Sequence, residues 1–389
     1  MKRRAAIIVL DGLGIGPAHD TDAYGDGGSD TLGNIARAVG GFSLPELEAS
    51  GLGRCALLQG MAATPAPRGA FGVCQPASPG KDSTTGHWEI CGLILPQAFP
   101  TYPQGFPSVV IEEFAQRTGR GVLGNRASSG TAILDEYGPE HCRSGSWIVY
   151  TSADSVFQIA AHESTVPLEE LYDACEVARQ ILRGVHGVSR VIARPFSGER
   201  GAWRRTAHRR DFSLPPSGST LLDRLVEAGI PRVGVGKVDD LFAGRGITSL
   251  HTATNREAYD LIHDALTTMT EGLLFANVIE FDQTWGHRND VPGFYAGLQE
   301  LDRALPHMLQ PVATQDLIIF TADHGNDPTT FSTDHSREQV PLLVLGPRIR
   351  PVDLGRRSTF ADIGQTVAEF LQVPALAAGT SFLSEVWLD

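Results

Sequence analysis

The sequence predicts an α/β fold: a mostly parallel sheet flanked by helices, with a smaller α/β domain inserted into it. Three observations carry this expectation. Apolar runs rich in β-branched and aromatic residues recur, each ending in polar or acidic residues. Helix-periodic stretches lie between them, the alternation that builds a parallel sheet. A segment with Gly/Pro-rich edges and strands of its own interrupts that alternation. The length of 389 residues also exceeds the ~250–300 at which a single hydrophobic core stops growing, so two domains are the default.

Along the chain, the first run is AAIIVLD, ending on Asp11. The basic residues before it imitate a secretion signal. Its apolar stretch, Ala5 to Leu10, is shorter than the ~7–15 residues of a signal core, and a buried strand explains it better. SWIVYTSAD ends on Asp154, LLFANVIEFD on Asp282 and DLIIFTADH on His324; SRVIARPF reads as a further strand. Leu168, Leu171, Cys175, Ala178 and Ile181 fall at helical spacing, with Pro167 suited to a first turn. DLIHDALTTM, GFYAGLQELDRAL and TFADIGQTVAEFL are further helices. PTYPQGFP and SLPPSG bound the insertion, which places a cap domain at 100–213 and the core at 1–99 and 214–389.

Apolar content of 42% and charged content of 20% are those of an ordinary globular protein. A net charge of -13 argues against a nucleic-acid partner, which wants a basic face, and against an acidic membrane surface. No segment approaches the ~18–20 apolar residues of a membrane span. The five cysteines are odd in number and form no CxxC pair, which suits reduced thiols in a cytoplasmic protein rather than a disulfide framework. A cytoplasmic monomer or weak oligomer, with no nucleic acid or membrane as partner, is the expectation.

Functional groups in such folds gather beyond the carboxyl ends of the strands. Asp11, Asp323, His324 and Asp282 stand at predicted strand ends, and His287 and His335 in the loops that follow. Asp282 and His287 are five residues apart, not one face of an α-helix, so a loop through QTWG is expected to bring them together. Oxygen and imidazole donors without sulfur suit manganese or zinc. Six such groups are too many for one ion with an open position, whereas two ions about 3.5–4 Å apart would use them well.

DGLGIG, GKDSTTGHWE, TSADSVFQIAAHE, RVIARPFSGE, GHRND and TADHGND…TDHSRE together resemble the phosphopentomutases of the alkaline phosphatase superfamily, from the first strand to GTSFL near the end. The resemblance implies an alkaline phosphatase-like core. It implies one manganese ion on Asp11, Asp323 and His324 and a second on Asp282, His287 and His335. The nucleophile bridging both would be Ser83, where the family usually carries Thr. Ser152, Asp154 and Arg190 of the cap, with Lys237 of GVGKV, match positions near the sugar phosphate. The implied reaction interconverts α-D-ribose 1-phosphate, or its 2-deoxy form, and the 5-phosphate, through a phosphorylated serine primed by a sugar bisphosphate, in nucleoside salvage. Alternatives are a mutase of the same fold acting on another phosphosugar and a metal-dependent phosphatase. The large insertion argues against the phosphatase, because a mutase must exclude water.

Three hydroxyls stand in a row at Ser83, Thr84 and Thr85, and such a run is ordinarily a turn or a helix cap. A nucleophile is best served at the amino end of a helix, where backbone amides and the helix dipole add positive field. STTGHWEICGL can begin such a helix with Ser83 at its entry; a shift of one residue in the turn would present Thr84 instead.

Overall fold

The computed structural model describes residues 2–152 and 154–388. The chain divides into two compact units, Met1–Gln97 with Pro216–Asp389, and Ala98–Pro215. The strands, in chain order, are β1 (Arg4–Leu10), β2 (Ala70–Cys74), β3 (Val122–Ala127), β4 (Trp147–Thr151), β5 (Val156–His162), β6 (Arg190–Ser197), β7 (Arg204–Arg205), β8 (Arg210–Ser213), β9 (Arg232–Val235), β10 (Ser249–Leu250), β11 (Gly272–Val278), β12 (Asp316–Thr321), β13 (Val340–Leu345) and β14 (Asp353–Arg357).

The first unit is built on one sheet of order β10-β9-β11-β1-β12-β13-β2-β14. Only β13 runs against the rest, antiparallel to both β12 and β2. The central strand β1 is buried along its whole length and pairs in parallel with β11 on one side and β12 on the other. A strand covered on both faces reads as an unbroken apolar run, which is why AAIIVL carries no alternation. Parallel neighbours need crossovers, and helices supply them. Asn255–Thr268 precedes β11, opened by a capping box between Thr254 and Glu257. Val291–Met308 links β11 to β12, with the Asp290 side chain accepting from Gly293 N and proline in its first turn. Ala361–Phe370 is the helix expected in TFADIGQTVAEFL.

The second unit carries the sheet β3-β4-β5-β6-β7, with β8 also paired to β6. One face packs Phe114, Trp147, Phe157 and Val191 with the helix Leu168–Ile181; the other packs Ile148, Tyr150 and Phe196 with Ile133 and Leu134 of the helix Gly130–Ser144. Leu171, Cys175 and Ala178 are the buried stripe of Leu168–Ile181, and Pro167 is its N-cap. No helix among the described residues is long and apolar enough to cross a membrane.

One buried acid ties the loops of the first unit together. Glu338 accepts from Thr31 N at 2.8 Å, Thr31 Oγ1 at 2.7 Å, Ser336 Oγ at 2.7 Å and Gly16 N at 3.3 Å. It thereby pins the start of the helix Thr31–Ala38 and two loops beyond the strand ends. Burial pushes its carboxyl up to about 8, against the pull of the Thr31 and Ser336 bonds. A folded-state value raised above the unfolded 4.5 means stability present at low pH and lost as pH rises through about 8. The metal-free protein is therefore expected to lose a few kcal/mol between pH ~5 and ~8. Glu338→Gln should flatten that slope in thermal melts followed by circular dichroism; an identical slope in the variant would refute the assignment.

Candidate metal centre

The three parallel strands β1, β11 and β12 end at one edge, because Leu10 pairs with Val278 and Val9 with Thr321. Asp11 follows β1 directly, and Asp323 stands two residues after β12. Asp282 follows β11 in a wide turn. Phe281–Trp285 is π-helical, not the loop expected from QTWG, and a 3-10 turn at Gly286–Arg288 follows it. A π turn closes on the fifth residue rather than the fourth, so residues five apart become neighbours. His287 Nε2 thus lies 3.2 Å from Asp282 Oδ2. His335 is carried back to the site by a bridge in which Gly325 and Ser336 exchange backbone hydrogen bonds. Its Nε2 is 3.2 Å from Asp282 Oδ1, and its ring centroid is 4.0 Å from that of His324.

Two sets of ligand atoms converge, Asp282 with His287 and His335, and Asp11 with Asp282 and His324. Asp282 stands in both. Asp323, paired by the sequence reading with Asp11 and His324, lies just outside the second set, with its Oδ2 3.5 Å from His324 Nε2. Burial pushes the Asp11 carboxyl up, and the neighbouring Asp323 adds to it against Lys237. Burial also acts on Asp282 and Asp323, but His335 and His287 hold the first well below the usual carboxylate range, and His324 and His87 hold the second below it. Burial depresses His287, yet its bond to Asp282 prevails and raises it.

This set of residues fits divalent cations. Asp11 Oδ1 is buried with no hydrogen-bond partner among the described residues, a costly state for a carboxylate oxygen unless a cation meets it. His287 Nδ1 lies 2.7 Å from the Thr333 carbonyl and His324 Nδ1 3.0 Å from that of Gly325. A carbonyl only accepts, so each Nδ1 carries a proton, which leaves each Nε2 as the atom that faces the carboxylates and can exchange a proton for a cation, the orientation of metal-binding histidines.

Ser83 opens the helix Ser83–Ile90, whose N-cap Asp82 accepts from Thr85 N at 3.0 Å. Ser83 Oγ is 3.2 Å from His324 Nε2. Thr85 Oγ1 instead donates to Asp82 Oδ2 at 2.6 Å, a capping contact. Lys237 reaches the same centre, with Nζ 3.1 Å from Asp11 Oδ2, a contact the sequence reading did not foresee. Ser152, Asp154 and Arg190 belong to the other unit. Ser152 and Asp154 follow β4, and Arg190 begins β6, paired with Asp211 at 3.5 Å. His87, Asn277 and Asn326 were missed by sequence reasoning. Asn326 Nδ2 donates to Asp282 Oδ1 at 2.7 Å. The signal for Asn277 was a lone amide inside the apolar run LLFANVI.

Gly86 shows how closely the serine helix packs here. A Cβ at this position would stand 2.3 Å from the Asp323 carbonyl oxygen. Gly86→Ala is expected to push the helix off the centre, cost about 1–3 kcal/mol of stability and lower metal-dependent turnover at least tenfold. Asp282→Ala should weaken divalent-cation binding, because Asp282 stands in both converging groups; calorimetric titration with manganese checks this, and a variant that binds the metal with unchanged affinity would contradict the role.

The model of the Metalloenzyme superfamily matches residues 220–375. A phosphopentomutase of Dictyoglomus thermophilum is 53% identical over 386 residues, 99% of this chain and 98% of that protein. One of Anaeromyxobacter dehalogenans is 54% identical over 388 residues, 99% of this chain and 100% of that protein. A phosphoglycerate mutase structure from Leishmania mexicana matches with a TM-score of 0.50 at 13% identity, covering 100% of this chain and 98% of that one. That last likeness speaks to fold alone, the alkaline phosphatase-like α/β architecture. At more than half identity end to end, with the ligand groups in place at the strand edge, the chain belongs to the phosphopentomutase family.

Proposed function

We propose that this chain interconverts α-D-ribose 1-phosphate, or its 2-deoxy form, and the corresponding 5-phosphate. The observation that carries the reading is the Ser83 hydroxyl at a helix N-terminus, 3.2 Å from His324 Nε2 and beside converging carboxylate and imidazole groups. The relatives named phosphopentomutase supply the substrate class.

Asp11, Asp323 and His324 would hold one divalent ion and Asp282, His287 and His335 a second; the oxygen-and-nitrogen donor set suits manganese or zinc, and the family resemblance implies manganese. Bound there, such ions neutralise phosphate oxygens and favour the serine alkoxide. Ser83, once phosphorylated by a sugar bisphosphate, gives its phosphoryl group to a free hydroxyl of the substrate. The bond from Ser83 Oγ to phosphorus breaks, the bond from the sugar oxygen forms, and that oxygen's proton is released. Ser83 Oγ then attacks the other phosphorus of the bisphosphate; the bond from that phosphorus to its sugar oxygen breaks and the leaving oxygen takes up a proton, which restores the phosphoserine and leaves the isomerised monophosphate. Thr84 and Thr85 serve the helix entry. Lys237 keeps the carboxylate charge of Asp11 compensated and is a candidate for a substrate phosphate.

In this reading the insertion, residues 100–213, is a cap that handles the sugar phosphate through Ser152, Asp154 and Arg190, and the core, residues 1–99 and 214–389, performs phosphotransfer. The setting is nucleoside salvage in the cytoplasm by a monomer or weak oligomer, with no nucleic acid or membrane as partner; the acidic net charge supports the last point.

The test supplies ribose 1-phosphate and manganese, with and without a sugar bisphosphate, and follows ribose 5-phosphate and free phosphate together. Isomerised product should exceed phosphate by a wide margin and depend on the bisphosphate. Stoichiometric phosphate release would replace the mutase reading with a phosphatase. Ser83→Ala should reduce turnover to background, and peptide mass spectrometry after priming should find the phosphoryl group on Ser83; finding it on Thr84 or Thr85 would move the nucleophile.

A further inference from the structure

The segment GHWE after the three hydroxyls contains a histidine that none of the roles above uses. His87 lies one turn beyond Ser83 on the same helix and is fully buried. The ring stacks on Phe275 with centroids 5.6 Å apart, an apolar contact that a phenylalanine also makes. A buried imidazole costs free energy unless both nitrogens are engaged.

Both nitrogens have partners, and the partners fix the tautomer. His87 Nδ1 is 2.9 Å from the Ser83 carbonyl oxygen. That oxygen only accepts, so Nδ1 carries the proton. Nε2 is then an acceptor, and Asn277 Nδ2 stands 3.4 Å from it. The same amide nitrogen lies 3.2 Å from Asp11 Oδ2, which also only accepts. Both hydrogens of the Asn277 amide are thereby assigned, one to the imidazole and one to the carboxylate. His87 Nδ1 is also 3.2 Å from Asp323 Oδ2. A continuous buried chain thus runs from the backbone of Ser83 through His87 and Asn277 to Asp11, with Asp323 alongside.

We infer that His87 and Asn277 are a positioning pair that locks the backbone of the nucleophile residue to the carboxylates of the metal centre. The inference rests on the reading of Ser83 and Asp11 given above. His87 does not touch the reacting atoms. It holds the Ser83 carbonyl through Nδ1–H and Asp11 through the Asn277 amide, so hydroxyl and carboxylates keep one register. A phenylalanine would fill the space and lose that coupling.

The experiment uses the full chain with His87→Asn, His87→Gln, His87→Phe and Asn277→Leu. The asparagine amide nitrogen falls near the place of Nδ1 and the glutamine amide nitrogen near that of Nε2. His87→Asn therefore keeps a donor for the Ser83 carbonyl, and kcat should stay within about tenfold of the parent. His87→Gln and His87→Phe should lose about 10- to 100-fold in kcat at unchanged KM, the scale of lost supporting contacts around a metal site. Asn277→Leu should weaken manganese binding about tenfold in calorimetric titration without substrate. In the chelated parent protein, nitrogen NMR should show His87 protonated on Nδ1 alone. A His87→Phe protein with parental kcat and manganese affinity, or a His87 signal protonated on Nε2, would overturn the inference. Should His87→Phe fail to fold, equal kcat for the asparagine and glutamine variants would overturn it as well. If the parent protein proves to have no mutase activity, the function proposed above fails on its own, and the NMR and manganese titrations still decide this point.

Discussion

Three carboxylates, Asp11, Asp282 and Asp323, are buried together at one edge of the core sheet, and much of the local structure exists to make that tolerable. Taking one such group out of water costs several kcal/mol, and like charges in one low-dielectric site add to the cost. Lys237 offsets part of it on Asp11, the Gly12 amide donates to Asp323 at 3.2 Å, and Asn326 donates to Asp282. The remaining demand falls on groups that are themselves candidate ligands, His287, His324 and His335. Asp11 is the least satisfied of the three, which is the meaning of its upward shift. A site so arranged is complementary to cations and strained without them.

The same demand explains which parts of the chain were readable. β1, β11 and β12 must bury both faces to hold the carboxylates, so their sequences are continuous apolar runs ending in acid, and that signature is local. The helix start at Ser83 and the helices at Leu168–Ile181 and Val291–Met308 were legible from local patterns too. The relation of Asp282 to His287 was not. An interval of five suits neither an α-helix nor a strand, and the π turn that makes it work leaves no propensity signal in FDQTW. That Asp282 stands in both converging groups was also not legible, because it depends on the return of the chain at Gly325 and Ser336.

The supporting residues were least legible. Asn277 and His87 sit in segments whose pattern already had an explanation, a buried strand and a helix. Their function arises only when β11 and the helix Ser83–Ile90 meet in space. Glu338 likewise looks in sequence like one more surface acid in a polar loop, and becomes a tie only because Thr31 and Ser336 converge on it. Direct ligands are chosen by side-chain chemistry, which sequence displays. Positioning groups are chosen by geometry, which it does not.

The serine at position 83 draws these strands together. Threonine, the residue that the resemblance of the sequence leads one to expect here, is stiff at χ1 because it branches at Cβ. Serine has lost that local restriction, so its hydroxyl must be held by its surroundings. Those surroundings are well supplied. Asp82 caps the helix, and the buried Arg337 guanidinium donates to the carbonyls of Pro76, Ser78 and Gly80 in the segment leading to it. Asp20 grips the same guanidinium through two bonds of 3.0 Å, and Lys81 pairs with Asp26 at 2.9 Å. His87 completes the set from the far side of the first turn. The backbone of Ser83 is thus fixed by tertiary contacts on both sides, leaving a single side-chain torsion to be set by the hydroxyl's contact with His324. In a frame this constrained, the missing methyl group costs little orientation, and a serine can stand where the family pattern expects threonine.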